Sequence, residues 1–192
     1  CGFAPDHAVE GISETVNDLN DKLIDFWCVL RSESLYRDFA RYVSARPLSE
    51  KDFLRAKLVT QSPNRGMMTP VDRATAFFVR ARQSRQGLGK DYATPTRRTR
   101  RGMNENVSAW LTAIDGLPEV HERLQRVEIR NMTAVDFITK YDHENALCYA
   151  DPPYLHETRT TKSEYGDFEM TEADHIELLQ CLANIKGNFL LS

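Results

Sequence analysis

The sequence has 192 residues, of which 41% are hydrophobic and 28% charged. This composition excludes a mainly disordered chain and allows one sizeable core, or a core with a small inserted domain. No apolar run approaches the roughly 18 residues of a membrane-spanning helix, and a formal net charge of −3 does not by itself indicate a nucleic-acid partner.

The first predicted elements are a strand and a helix. Glu14–Leu19 is short and favours a strand, and Asn20 is a candidate helix N-cap. Apolar residues then recur at the i, i+3, i+4 and i+7 positions of a helix face, at Leu23, Phe26, Trp27 and Leu30. A strand that ends in Asn17-Asp18 and leads directly into a helix is typical of an α/β unit.

The next region is predicted to be mainly helical. Ser49 and Asp52 form a candidate capping box before another apolar helix pattern, and Thr69-Pro70-Val71-Asp72 predicts the start of a helix that contains Phe77-Phe78. One apolar face is expected from Leu35, Phe39, Tyr42 and Val43, and another from Phe53, Leu54 and Leu58.

The segment Gln83–Asn106 loses this periodicity and contains Gly, Arg, Thr and Pro, which predicts a loop or a short hairpin. Trp110, Leu111 and Ile114 resume a helical pattern. We interpret Phe77, Phe78 and Trp110 as core residues rather than stacking platforms.

The α/β pattern returns after Pro118. Strands are predicted at Val127–Ile129, at Ala146–Ala150, which we expect to be buried, and at Phe189–Leu191. Helices are predicted around Ala134–Ile138 and after a capping box of Thr171 and Asp174, with Gly187 as the C-terminal cap. Alternating strands and helices favour a Rossmann-like, doubly wound parallel sheet, which binds ligands at the carboxyl ends of its strands.

The four cysteines are far apart and show no Cys-x-x-Cys spacing. Cys28 and Cys181 lie in amphipathic helical patterns and Cys148 lies in an apolar run. We therefore expect buried thiols in a reducing, cytoplasmic compartment, and neither disulfides nor a metal site.

A basic stretch occupies the non-helical part of the middle region. Between Arg80 and Arg101, Asp91 is the single acid. A solvated loop would explain this charge, but phosphate binding would too, because Arg and Lys contacts to phosphates give affinity that depends on local charge. The candidate DNA-binding residues are Arg80, Arg82, Arg85, Lys90, Arg97, Arg98, Arg100 and Arg101.

The tetrapeptide Asp151-Pro152-Pro153-Tyr154 follows the apolar strand Ala146–Ala150. An ionised carboxylate and a proline carbonyl are both hydrogen-bond acceptors, the two prolines restrict the backbone, and the tyrosine offers a flat ring. Two convergent acceptors beside a ring suit the exocyclic amino group of a flipped-out nucleobase. An ordinary surface turn remains the alternative, because Asp-Pro and Pro-Pro are common turn dipeptides.

The sequence resembles the Dam-like adenine-specific DNA methyltransferases, a family with many phage and prophage members, in which Asp-Pro-Pro-Tyr is the catalytic motif. The resemblance covers nearly the whole chain. Besides the tetrapeptide, it includes Asn17–Asn20, Phe77-Phe78, Arg100–Asn104, Trp110, Val127–Asn131, Tyr141-Asp142, Leu155–Arg159, Tyr165-Gly166, His175 and Leu178-Leu179.

This resemblance implies methyl transfer from S-adenosylmethionine to the amino nitrogen of adenine in double-stranded DNA. Asp151 and the Pro152 carbonyl would hold the amino hydrogens, Pro153 would stiffen the motif, and Tyr154 would stack on the base. Asp18 would hold the cofactor's ribose, although an acid stabilised by a helix dipole is the alternative. Thr133 stands where the family often has an acid that contacts the cofactor's adenine.

The resemblance also implies three segments: residues 1–33 as the N-terminal part of the catalytic domain, 34–116 as an inserted, mainly helical target-recognition region, and 117–192 as the part with the Asp-Pro-Pro-Tyr motif. The family's Phe-x-Gly-x-Gly loop is not in this sequence, and Cys1-Gly2-Phe3-Ala4 does not replace it. The family's elements that follow the strand at Phe189, at its C-terminal end, are absent as well. We therefore expect a fragment of the enzyme that binds S-adenosylmethionine weakly or not at all.

Two alternatives remain open from the sequence. One is an amino methyltransferase for another substrate, such as cytosine in DNA, adenine in RNA or a glutamine side chain. The other is a catalytically inactive remnant that binds DNA only.

Overall fold

The structure, a computed structural model, describes residues 11–154 and 168–192. The segments Cys1–Ala4, Leu155–Arg159 and Tyr165-Gly166, which contributed to the sequence interpretation, lie outside the described residues. The described residues divide into two compact units: one contains residues 11–16 and Asp21–Ile129, and the other contains Asn17–Asn20 and the described part of Arg130–Ser192.

The first unit is mainly helical. It contains, in chain order, β1 (Glu14–Asn17, whose last residue belongs to the second unit), α1 (Asp21–Arg31), α2 (Glu33–Ser44), α3 (Glu50–Gln61), α4 (Pro70–Arg82), β2 (Thr99–Arg100), β3 (Met103–Asn104), α5 (Glu105–Asp115), α6 (Leu117–Leu124) and β4 (Val127–Arg130, whose last residue also belongs to the second unit). Short 3-10 turns lie at Arg65–Met67 and Arg85–Gly87.

Helix α4 lies at the centre of this unit and packs against α1, α2 and α3. Phe78 of α4 is buried, and its ring centroid lies 5.4 Å from that of Trp110 and 5.7 Å from that of Phe39. The buried Trp110 indole donates a hydrogen bond to the Arg46 carbonyl at 2.9 Å, so its one polar atom is satisfied. Phe78 and Trp110 are therefore core residues, as predicted.

Local capping signals define the helix starts. Ser49 Oγ accepts from the Asp52 amide at 3.3 Å, and Thr69 Oγ1 accepts from the Asp72 amide at 3.1 Å. The Ser49 amide donates to the fully buried Gln83 side chain at 3.1 Å, and Gln83 Nε2 donates to the Pro47 carbonyl at 3.2 Å. Gln83 thus satisfies the backbone where the chain turns into α3.

The segment after α4 forms the predicted short hairpin. β2 and β3 pair antiparallel with Thr99 opposite Asn104 and Arg100 opposite Met103. The two-residue turn places Arg101 at φ 54° and Gly102 at φ 74°, the positive values that a type I′ hairpin turn requires. Asn106 Nδ2 donates to the Ala93 and Thr94 carbonyls, which fixes the preceding loop against α5.

The second unit combines α7 (Ala134–Tyr141), β5 (Leu147–Ala150), α8 (Glu172–Ala183) and β6 (Asn188–Leu191). Ile138 of α7 packs with Leu178 and Leu182 of α8, and Cys148 and Ala150 of β5 pack against this cluster. The predicted capping box is present: Thr171 Oγ1 accepts from the Asp174 amide, and the Asp174 carboxylate accepts from the Thr171 amide.

β5 and β6 pair in parallel, with Cys148 opposite Phe189 and Tyr149 opposite Leu190. The prediction that Ala146–Ala150 is a buried strand is wrong in part. Leu147 is 68% exposed and Tyr149 is 59% exposed, because α8 contacts only the face that carries Cys148 and Ala150.

The fold belongs to the α/β class, but a doubly wound sheet is not confirmed. The described residues form three two-stranded sheets, in which β1 pairs with β4, β2 with β3 and β5 with β6. Among these residues, no helix has both the length and the apolar character needed to cross a bilayer.

Three local predictions are also corrected. Cys28 is exposed, and on α3 the buried face carries Phe53, Ala56 and Thr60, whereas Leu54 and Leu58 are exposed. Periodicity indicated a helix there but misassigned part of its inner face, because three apolar positions leave the orientation undetermined. Asn184, not Gly187, is the C-cap of α8.

Gly187 has a different structural role. A Cβ atom at this position would lie 2.6 Å from the Ala146 carbonyl oxygen and 2.8 Å from that of His143. Only glycine allows the chain to pass this close to the start of β5, and the next residue, Asn188, then donates its amide to Ala146 at 2.8 Å.

We expect Gly187→Ala to lower the free energy of unfolding by roughly 1–3 kcal/mol, because the added methyl group overlaps two backbone oxygens that cannot move independently. Urea unfolding measures this loss. Gly66→Ala is the matched control, since a Cβ there meets no atom within 4 Å, and it should change stability by less than about 0.5 kcal/mol. Equal stability of the two variants would contradict the packing argument.

Candidate functional site

The Asp-Pro-Pro-Tyr motif lies at the carboxyl end of a parallel strand pair. Asp151 directly follows β5, and the Ser192 amide, which directly follows β6, donates to the Ala150 carbonyl at 3.0 Å. The two strands therefore end together, and Asp151 and Ser192 emerge at the same edge, as expected for adjacent parallel strands.

The polar groups of the motif are accessible. Asp151 is exposed, Pro152 and Pro153 are half-buried, and Tyr154 is 53% exposed. The Tyr154 hydroxyl lies 3.4 Å from Ser192 Oγ, a contact that links the motif to the end of β6. A carboxylate, a backbone carbonyl without a following N–H, and an open aromatic face are thus available at one strand end.

A second group of polar residues lies where β1 and β4 end. Asp18 follows β1, is half-buried, and its Oδ1 accepts from the Asn20 amide at 2.7 Å. Burial raises the pKa of the Asp18 carboxyl above its ordinary value, and the hydrogen bond from Asn20 opposes that rise. Asp18 is therefore a carboxylate held partly away from water.

Side-chain amides join the two strand ends. Asn17 Nδ2 donates to the Met132 carbonyl at 3.0 Å, and Asn17 Oδ1 accepts from the Met132 amide at 3.1 Å. Asn131 Nδ2 donates to the Asp18 carbonyl at 2.8 Å. These bonds bring the Asp18 region next to the turn that precedes Thr133, so two of the predicted residues belong to one strand edge.

Thr133 is the N-cap of α7. Its Oγ1 accepts from the Asp136 amide at 3.2 Å and donates to the Asp136 carboxylate at 2.7 Å. The hydroxyl is exposed but already engaged in capping. A cofactor contact at Thr133 stays a prediction, and it would compete with these bonds.

The basic residues divide into two sets. Arg97, Arg98, Arg100 and Arg101 are exposed on and beside the hairpin, and Arg101 Nη1 donates to Thr112 of α5 at 3.2 Å. Next to the hairpin is an open concavity of about 710 Å³, lined by Arg97, Arg98, Thr99, Arg100, Glu105, Asn106 and Ala109.

The other set lies nearer α4. Arg82, Arg85 and Lys90 are exposed. Arg80 is half-buried: its Nε donates to the Gly89 carbonyl at 2.9 Å and its Nη1 to Thr60 Oγ1 at 2.9 Å. Arg80 therefore ties the loop at Gly89 to α3 and α4, a structural role that the run of charges did not indicate.

Sequence reasoning missed Asn17, Asn131 and Ser192. All three end or directly follow a short strand, which is the only local signal that could have marked them. Within residues 11–154 and 168–192, no group of three or more His, Cys, Asp or Glu side chains is arranged to hold a metal ion.

The comparisons with known proteins give one positive result. A family model described as D12 class N6 adenine-specific DNA methyltransferase matches residues 7–192. No curated protein matches the sequence. The family match spans both compact units and includes the strand ends with Asp18 and Asp151.

We expect Asp18→Asn to raise the free energy of unfolding at neutral pH. Because burial raises the pKa of Asp18, the folded state binds this proton more tightly than the unfolded state. The contribution of protonated Asp18 to the free energy of unfolding is therefore fully present below the unfolded-state pKa of about 3.9, and it is lost as pH rises through the folded-state pKa. Asparagine carries no charge, so the Asp18→Asn variant does not lose this stability at neutral pH.

Urea unfolding over a pH series measures the difference in free energy of unfolding between Asp18→Asn and the wild type, which should disappear in acid. Asp174→Asn is the control of opposite sign: hydrogen bonds from Thr171 lower the pKa of Asp174, so this variant should be less stable than the wild type at neutral pH and equal to it in acid. A loss of stability in Asp18→Asn at neutral pH would contradict the burial argument.

Proposed function

Because the chain belongs to the D12 class of N6 adenine-specific DNA methyltransferases, we propose that it methylates adenine in DNA with S-adenosylmethionine as the methyl donor. On that premise we propose that Asp151, Pro152 and Tyr154 form the adenine site and that Asp18 belongs to the site of S-adenosylmethionine. The observation that carries the proposal is the exposed Asp-Pro-Pro-Tyr motif at the carboxyl end of β5, beside the end of β6.

The chemistry of Asp151 and Pro152 follows from the electronic structure of adenine. The lone pair of its amino nitrogen is delocalised into the ring, so the nitrogen is a poor nucleophile. The Asp151 carboxylate and the Pro152 carbonyl accept the two amino hydrogens, which favours a tetrahedral nitrogen and frees the lone pair. The carboxylate also stabilises the positive charge that develops on nitrogen during attack.

The remaining residues of the motif hold the base. Tyr154 stacks on the extruded adenine, a contact worth about 1–3 kcal/mol per base in proteins that bind single strands. Pro152 and Pro153 restrict the backbone, so the acceptors keep their direction while the base enters. The half-exposed Tyr154 ring supports this role, because it is accessible without a rearrangement of the core.

The strand ends at Asp18 suit a cofactor that carries ribose hydroxyls. A carboxylate accepts hydrogen bonds from two adjacent hydroxyls, and Asp18 is held in place by the Asn20 amide. When bound, S-adenosylmethionine supplies the electrophilic methyl group. We propose no metal, since neither the hydrogen bonds to the adenine amino group nor the contact with the ribose needs one.

We propose that residues 34–116 are the target-recognition region inserted between catalytic segments 1–33 and 117–192, and that its basic hairpin binds double-stranded DNA. The four exposed arginines at positions 97, 98, 100 and 101 supply positive charge to phosphates. Arg82, Arg85 and Lys90 are also exposed and are included among the proposed contacts. Arg80 is left out of the proposed contacts, because its guanidinium bonds within the protein.

We expect Asp151→Ala to reduce methyl transfer roughly 100-fold or more, because the developing charge on nitrogen loses its stabilising carboxylate. The assay measures tritium transferred from S-adenosylmethionine to unmethylated DNA. Glu177→Ala, which removes an exposed acid from α8 in the same unit, is the control and should leave the rate unchanged. Full activity of Asp151→Ala would refute the catalytic assignment, whereas DNA binding without transfer by the wild type would favour the DNA-only alternative.

We expect the combined variant Arg98→Ala, Arg100→Ala and Arg101→Ala to bind DNA more weakly and with a smaller salt dependence. Each lost phosphate contact lowers the slope of log K against log salt by roughly 0.9. Fluorescence anisotropy at several salt concentrations measures this slope. A matched triple variant of exposed arginines on α2 and α3, Arg37→Ala, Arg41→Ala and Arg55→Ala, should keep the wild-type slope; equal losses in both variants would argue for general charge attraction.

A further inference from the structure

Asn17 and Asn131 form a reciprocal pair of contacts across the ends of β1 and β4. The carboxamide of Asn17 bonds to both backbone groups of Met132, and the carboxamide of Asn131 bonds to the backbone carbonyl of Asp18. Each strand end thus uses a side chain to bind the backbone of the other. We call these two residues the amide clamp.

The clamp continues the strand pairing beyond the last backbone bond. The Asp18 amide lies 3.4 Å from the Arg130 carbonyl, a long hydrogen bond that marks where the ladder weakens. Beyond it, the Asn17 side chain donates and accepts at once, as a backbone amide pair would. Among side chains of this size only a carboxamide can do so, because a carboxylate accepts only and a leucine does neither.

We propose that Asn17 and Asn131 are positioning residues that hold the Asp18 carboxylate in place for the ribose hydroxyls of S-adenosylmethionine. This inference rests on the proposed function, in which Asp18 is the ribose ligand. The clamp residues touch the Asp18 backbone or the turn opposite it, and they act on the cofactor only through Asp18.

A half-buried carboxylate needs such support. Ionised Asp18 gains free energy by turning toward water, and burial already raises its pKa. Three hydrogen bonds oppose that movement. Asn131 bonds to the carbonyl of Asp18, and the side chain of Asn17 anchors the residue before Asp18 to the Met132 carbonyl. The Asn20 amide bonds to the carboxylate itself. A carboxylate prevented from turning away is preorganised for a ligand.

A merely structural role for the two asparagines predicts a different outcome. In that case their removal lowers stability and leaves the affinity for the cofactor unchanged at temperatures where the protein is folded. The positioning role predicts a loss of affinity that depends on Asp18. A double-mutant cycle separates the two, because residues that act through one group are not additive.

The experiment uses the full chain and S-adenosylhomocysteine as the probe, titrated by two-dimensional NMR, which also measures weak binding. Asn131→Ala should weaken binding about five- to tenfold, the equivalent of one hydrogen bond. Asp18→Ala should weaken it at least as much, and Asn131→Ala should cause no further loss in the Asp18→Ala background. Asn184→Ala is the control: its amide also bonds to a backbone carbonyl in this unit, that of Gln180 at 2.7 Å, and it should bind as the wild type does.

A cofactor-free readout accompanies the titration. In Asn131→Ala the Asp18 carboxyl, followed by NMR, should titrate closer to the ordinary pKa of an aspartate, because the released side chain gains water. Asn17→Leu, which removes both side-chain bonds to the backbone of Met132 without adding a charge, should change affinity and titration in the same direction.

Three results would overturn the proposal, and they are distinguishable. Wild-type binding and unchanged Asp18 titration in Asn131→Ala, with weakened binding in Asp18→Ala, would refute the clamp alone. Additive losses in the double variant would show that Asn131 acts independently of Asp18. Undiminished binding in Asp18→Ala would refute the ribose assignment and the clamp together.

Discussion

The parallel pairing of β5 with β6 is the constraint on which the proposed adenine site depends. Two parallel strands that pair over four residues end at the same edge, so the residue after each strand is displayed beside the other. Gly187 makes this register possible, because any side chain there would overlap the backbone at the start of β5. Asp151 is therefore presented at an open edge by backbone geometry, and two prolines limit how far it can move.

Side-chain amides complete the second edge, where the backbone ladder ends. Asn17 and Asn131 replace missing strand pairing with three hydrogen bonds, and they do so next to a carboxylate that is partly withheld from water. Such a carboxylate is costly for folding and useful for binding, because its hydrogen-bonding capacity is not saturated by solvent. The two edges thus achieve the same result by different means: an acid is held in a defined direction at a strand end.

Much of the fold could be predicted from the sequence because its signals are local. The caps at Ser49, Thr69 and Thr171 need only a side chain and an amide three residues later. A short hairpin was one of the two structures predicted where the helical periodicity stops and Gly, Arg, Thr and Pro accumulate. The tetrapeptide Asp151–Tyr154 was predicted to follow a strand, and it follows β5. Exposure could not be predicted: Leu54, Leu147 and Cys28 are apolar or thiol side chains in regular elements, yet all three are exposed. Asn17 and Asn131 were missed because their partners lie more than 110 residues away, and Arg80 because a run of charges does not reveal a guanidinium bonded inward.

The identity of the methylated nucleoside tests the central claim most directly. Unmethylated double-stranded DNA is incubated with the chain and S-adenosylmethionine, digested to nucleosides and separated by mass spectrometry. If the Asp151 carboxylate and the Pro152 carbonyl hold the amino group of adenine, N6-methyldeoxyadenosine is the single new product. N4-methyldeoxycytidine as the methylated product would contradict the account.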